Sequence, residues 1–90
     1  MIYKRDMEVE FTESAHLDLL YRQNNNPKKV ERIKKLCEDI KKNNFEGIGK
    51  PEPLKYDLQG CWSRRIDRIN RLVYKIDDCK LIVLACRYHY

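Results

Sequence analysis

No apolar run in this 90-residue sequence approaches the roughly 18 residues that a membrane-spanning helix needs. The stretch from Met1 to Glu10 lacks the apolar core of a secretory signal, so a cytoplasmic protein with no membrane partner is expected. Cysteine occurs four times, at Cys37, Cys61, Cys79 and Cys86, yet never as a CxxC pair, and no extracellular context supports a disulfide framework. Reduced thiols are therefore expected. The two histidines, His16 and His89, lie far apart and give no zinc-ligand spacing, so a structural metal is not expected. No internal repeat, low-complexity tract or linker divides the chain, and its length fits one domain over residues 1–90.

What the chain does carry is positive charge. Nineteen Lys and Arg stand against 14 Asp and Glu, a net charge of +5 with a pI near 9.1. That balance favours an anionic partner, nucleic acid first, because cations near phosphates gain affinity by releasing counterions. An apolar content of 42% lifts the chain out of the disordered class despite 37% charged residues. A chain this short buries only about 60 to 65% of its unfolded surface, so a thin core is expected.

Met7, Val9 and Phe11 alternate with Glu8 and Glu10, the period-2 pattern of a half-buried strand. Thr12 offers an N-cap oxygen for a helix running to about Tyr21, with Ala15, Leu19 and Leu20 on its apolar side and His16 assigned to packing. Asn26 and Pro27 start a second helix, Asn as cap and Pro at the first helical position. Val30, Ile33, Leu36, Cys37 and Ile40 form its apolar stripe, while Lys28, Lys29, Lys34, Lys35, Lys41 and Lys42 fall largely elsewhere, as a solvated face or an RNA contact. After Asn43 and Asn44, Gly47, Gly49, Pro51 and Pro53 make an irregular, stiff connection.

Strands are then expected at Leu54 to Leu58, Trp62 to Ile66, Arg71 to Ile76 and Leu81 to Tyr88, in a meander whose last hairpin turns at Asp77 to Lys80. The unbroken apolar run from Leu81 to Cys86 reads as a central strand covered on both faces. The order strand, helix, helix, meander implies an α+β fold. Two N-terminal helices pack on one face of a mainly antiparallel sheet of four to five strands, and the other face stays available to RNA.

Glu52, between two prolines, presents a carboxylate from a stiffened backbone, either as a general base or as an exposed loop acid near Lys50 and Lys55. Arg71 opens a strand whose alternate residues Leu72, Tyr74 and Ile76 face the core, which sends its guanidinium to the other face, toward substrate or into an ion pair. Arg64 and Arg65 point to opposite faces, so at most one joins it. His89 follows the apolar strand directly, and imidazole exchanges protons near neutrality. One residue of register decides whether Arg71 shares a face with His89 or with Tyr88 and Tyr90, and periodicity does not settle which.

These residues resemble the YoeB branch of the RelE-like bacterial toxins, the Txe/YoeB family. The likeness rests on Glu46-Gly47 before Gly49-Lys50-Pro51-Glu52-Pro53-Leu54-Lys55, on Trp62-Ser63-Arg64-Arg65-Ile66, on Arg71-Leu72-Val73-Tyr74, and on Cys86-Arg87-Tyr88-His89-Tyr90. It is close over residues 45–90 and one of pattern only before them, where several residues precede the first strand. Where the family has an acidic residue and His before its motif Arg, this chain has Ile69 and Asn70.

The resemblance implies a microbial-ribonuclease-like fold and a ribosome-dependent endoribonuclease, an mRNA interferase that inhibits translation and needs no cofactor. It carries Glu52, Arg71, His89 and Tyr90 to catalytic positions. Glu52 serves as base, His89 as acid, with those two roles exchangeable, Arg71 as phosphate stabiliser and Tyr90 as an orienting or stacking group. Lys50, Lys55, Arg64, Arg65, Arg87 and Tyr88 are RNA-binding candidates. The implied partners are the ribosome, mRNA and a cognate acidic antitoxin of the Phd/YefM type, and a homodimer stays open. Two alternatives remain: a ParE-like DNA gyrase poison on the same scaffold, and a non-catalytic RNA-binding module.

Overall fold

The computed structural model describes residues 7–89. A five-stranded sheet runs in the order β1 (Glu8–Phe11), β5 (Lys80–Tyr88), β4 (Arg71–Asp77), β3 (Trp62–Arg65), β2 (Glu52–Pro53). Strands β2 to β5 form an antiparallel meander, and β1 joins the far edge parallel to β5. Helices α1 (Glu13–Asn25) and α2 (Pro27–Lys42) cover one face, giving the expected α+β layers.

Helix α1 starts where Thr12 Oγ1 accepts the Ala15 N–H at 3.2 Å, while the Thr12 backbone N–H reaches the Val83 carbonyl and ties the cap to β5. The helix runs one turn past the expected Tyr21. Its buried side is Ala15 and Arg22, with Leu19 half-buried, whereas Leu20 and His16 are exposed, against their assignment to packing. Asn26 both ends α1, donating its backbone N–H to the Arg22 carbonyl, and precedes α2 at the N-cap position. Its side chain makes no cap bond; its carbonyl accepts from Lys29 N, and Pro27 at the first position has no N–H to satisfy.

The α2 stripe falls as its period requires: Val30, Ile33, Leu36, Cys37 and Ile40 are all buried. Each large aliphatic there contributes about 1.5–3 kcal/mol by leaving water. Ile33, Leu36, Cys37 and Ile40 share one core with Leu72, Tyr74, Leu81, Val83 and Cys86 from the sheet. Met7, just before β1, and Phe11 on it pack against this core, but Val9 is exposed, as an edge strand permits.

The segment 54–58 is not a strand. Pairing at this edge stops after Pro53, the Leu54 N–H is taken by the Cys61 carbonyl, and Tyr56 has φ +58°, which no strand tolerates. A 3-10 turn, Tyr56–Leu58, stands there instead. The β5 strand is interior, yet only its helix side is fully covered: Leu81, Val83 and Cys86 are buried, and Ile82, Leu84 and Ala85 are partly exposed.

Candidate active site

Pairing Glu52 with Ser63, Ser63 with Val73 and Arg65 with Arg71 fixes which residues share the face opposite the helices. On that face Arg71 Nη1 donates to Ser63 Oγ at 3.1 Å and lies 3.7 Å from Glu52 Oε2. The Arg71 side chain is only 11% exposed and the Glu52 side chain 49%, so the cation is enclosed and the acid is half open to solvent. The sheet surface is thus less bare than expected, with Ser63 and Val73 covered as well. Ser63, which sequence reasoning passed over, holds the guanidinium; its place beside Trp62 in the motif was the available signal.

The C-terminal register is set by bulges. From Tyr74 to Val73 on β4 the partner moves from Val83 to Ala85, and from Val73 to Arg71 it moves from Ala85 to Tyr88, so β5 holds extra residues twice. Tyr88 therefore stands opposite Arg71, and a cleft of about 430 Å³ runs between Glu52, Lys55 and Tyr88. His89 is exposed just past the strand end. Tyr90 lies outside the described residues.

Helix α1 holds the bulged segment. Pairing with β1 ends at Phe11 and Val83, and beyond it the buried Cys86 gives its N–H to Asp18 Oδ2 at 2.9 Å. The Cys86 carbonyl accepts from Arg22 Nη2 at 3.2 Å and Nε at 3.4 Å. Asp18 and Arg22, one helical turn apart, so complete the hydrogen bonds of the strand that presents Tyr88 and His89. Burial pushes the Cys86 thiol up to about 12 and the Cys37 thiol up to about 11, leaving both as inert packing groups, and all four cysteines are free.

Arg64 corrects an expectation. It pairs with Leu72, which puts it on the helix face, and it is 0% exposed, so it is not available to RNA. Its guanidinium donates to Asp39 Oδ2 at 2.6 Å and to the carbonyls of Asn43, Glu46 and Ile48, and lies against Tyr74. Tyr74 OH accepts from Arg64 Nε and donates to the Asn44 carbonyl, while burial raises its own pKa. A hydrogen bond from the Ile48 N–H, with the bonded Arg64 beside it, holds the Asp39 carboxyl below the usual carboxylate range against the opposing effect of burial. A Cβ on Gly47, at φ +127°, would fall on the Asp39 carboxylate, so the loop needs glycine there. This network moulds the connection that carries Lys50 and Glu52 to the sheet.

The remaining candidates divide. Lys50 and Lys55 are exposed on either side of Glu52, and Arg65, half-buried, lies on the Arg71 face. Arg87 is exposed but stacks 3.5 Å over the Tyr21 ring of α1, toward the helix layer. Asn70, at the position of the family His, binds the Asp67 carboxylate through its backbone and side-chain N–H groups in the β3–β4 turn. Among the described residues no three His, Cys, Asp or Glu side chains form a metal-holding group, and no helix is long and apolar enough to cross a membrane.

Two helices on one face of a five-stranded sheet is the fold that solved RelE- and YafQ-type proteins share with this chain. Residues 11–90 match the family described as YoeB-like toxin of bacterial type II toxin–antitoxin systems. Toxin YoeB of Synechocystis sp. is 49% identical over 84 residues, 93% of this chain and 98% of its own. The YoeB dimer from Staphylococcus aureus superimposes with a TM-score of 0.89 at 42% identity, over 96% of this chain and 100% of that one. The YoeB–YefM complex from the same species gives a TM-score of 0.86 at 44% identity, with the same coverage. The chain belongs to the YoeB family of type II toxins.

Proposed function

We propose that this toxin is a ribosome-dependent endoribonuclease that cuts mRNA in the A site by acid–base transesterification. Glu52 removes the ribose 2′-OH proton, and the 2′-oxygen attacks the adjacent phosphorus to form a 2′,3′-cyclic phosphate. His89 protonates the departing 5′-oxygen, and Arg71 offsets the charge on the phosphorane. Tyr90 orients or stacks the nucleotide, and Lys50, Lys55 and Arg65 hold flanking phosphates. The observation that carries this reading is the Arg71 guanidinium, enclosed and held by Ser63, 3.7 Å from a half-exposed Glu52. The ribosome supplies the rest by fixing the RNA in position.

The +5 charge and the cationic surroundings of Glu52 suit an acidic antitoxin of the Phd/YefM type, whose tail would fold over the cleft and exclude RNA, and the free toxin would pair as a homodimer. The YoeB dimer and the YoeB–YefM complex of S. aureus support both associations. The test is purified protein on translating ribosomes in cytoplasmic extract, with new RNA ends mapped. Cuts inside the A-site codon bearing 2′,3′-cyclic or 3′-phosphate ends are expected. Intact mRNA with trapped gyrase–DNA complexes would overturn the reading in favour of a ParE-like poison.

A further inference from the structure

Tyr56 is the most exposed large apolar side chain among the described residues, 89% accessible. It also has φ +58°, a left-handed backbone that a bulky side chain adopts only where its surroundings dictate it. Those surroundings are visible. The Leu54 N–H is held by Cys61 O, the Leu58 N–H by Lys55 O, the Gln59 N–H by Tyr56 O and the Cys61 N–H by Leu58 O. A ring so firmly directed outward, on a loop bonded to itself four times, is not explained by packing.

Tyr56 is also one of the residues that line the cleft bordered by Glu52. Leu54 and Leu58 give that cleft apolar surface, Tyr88 adds a second aromatic ring and Lys55 a cation. At about 430 Å³ it is the size of a small-molecule site. An unpaired nucleobase asks for this combination: an aromatic face to stack on, apolar surface beneath it and a cation within reach of its phosphate.

We infer that Tyr56 forms a nucleobase subsite, stacking a base next to the scissile phosphate and so holding its ribose against Glu52. This rests on the endoribonuclease reading. Tyr56 acts on the rate by positioning the nucleotide and takes no part in proton transfer. An acidic protein partner would prize the lysines more than an aromatic stack, so the ring points to RNA.

The test is single-turnover cleavage on programmed ribosomes at saturating toxin, with toxin–ribosome affinity, antitoxin affinity and thermal melting measured beside it. Tyr56→Ala is expected to slow cleavage by about 5- to 150-fold, the range that about 1–3 kcal/mol of base stacking gives, with ribosome affinity unchanged. Tyr56→Phe keeps the ring and should cleave at the wild-type rate. Tyr56→Gly relaxes the left-handed backbone, so it should melt no lower than wild type and yet cleave as slowly as Tyr56→Ala. Wild-type rates from the Ala or Gly variant would overturn the inference, as would a Phe variant as slow as Ala. Weakened antitoxin binding with intact cleavage would hand the ring to the protein partner and overturn it too. A wild-type toxin that cuts nothing would remove the reading beneath it, and the inference with that reading.

Discussion

Replacing Asp18 with Ala removes the acceptor for the Cys86 N–H, which lies under 0% exposed Cys86 and has no strand partner beyond the end of β1. A buried donor left without an acceptor costs about 1–3 kcal/mol. For a domain of this length each kcal/mol lowers the melting temperature by about 4–8 °C, so a mid-range loss of about 2 kcal/mol gives about 8–16 °C. The damage should be local first. The Cys86 amide, protected in the wild type, should exchange faster than its β5 neighbours Leu81 and Val83. Because this peptide group anchors the strand that carries Tyr88 opposite Arg71, RNA cleavage should fall by more than the loss of folded protein explains, while ribosome affinity changes little. Asp18→Asn keeps a carbonyl acceptor and should recover most of both properties. Thermal melting, amide exchange and single-turnover cleavage of the two variants form the assay. An Asp18→Ala protein within about 0.5 kcal/mol of wild type, with Cys86 still protected, would refute the reasoning.

Two further outcomes follow from the charges. Asp39→Ala leaves the enclosed Arg64 guanidinium without its counter-ion and should cost about 3–5 kcal/mol, read by urea unfolding; a loss within about 0.5 kcal/mol would show that the backbone carbonyls suffice. Asp67 is pushed up by burial but held well below the usual carboxylate range by the N–H groups of Asn70 and Ile69, the Asn70 side chain and Lys29. A depressed folded value means the stabilisation is present in full above about pH 5, where the unfolded carboxylate is almost wholly charged, and fades as pH falls from there toward the folded value. Asp67→Asn should therefore flatten the acid side of a stability–pH curve, and an unchanged acid limb would contradict this.

The α2 stripe was legible because five buried residues at helical spacing leave no other reading, and the meander because Asp77 to Lys80 separates two apolar runs. Arg64 was misjudged because alternation assigns opposite faces to Arg64 and Arg65 without saying which face receives the helices. A charged side chain on the core side breaks the apolar pattern that would have decided it, and only its pairing with Leu72 does so. The expected strand at 54–58 failed on local hydrogen bonding, since Leu54 turns back to Cys61. The register of the C-terminal residues was beyond periodicity altogether. It depends on two bulges and on a contact between Asp18 and Cys86, 68 positions apart, and helical spacing marks Asp18 and Arg22 only as ordinary surface charges. Glu52 and Arg71 were singled out through their motifs, and that the two lie 3.7 Å apart on one face required the sheet register.

The central claim is that Glu52 acts as a proton-transfer group on mRNA held by the ribosome. Its most direct measurement is the single-turnover cleavage rate of Glu52→Ala against wild type on ribosomes programmed with one defined A-site codon, with toxin–ribosome affinity measured in parallel. Loss of a proton-transfer group is expected to lower the rate by about 100-fold or more and to leave affinity unchanged. A Glu52→Ala toxin that cuts as fast as wild type, or a wild type that binds these ribosomes and never cuts, would contradict the account.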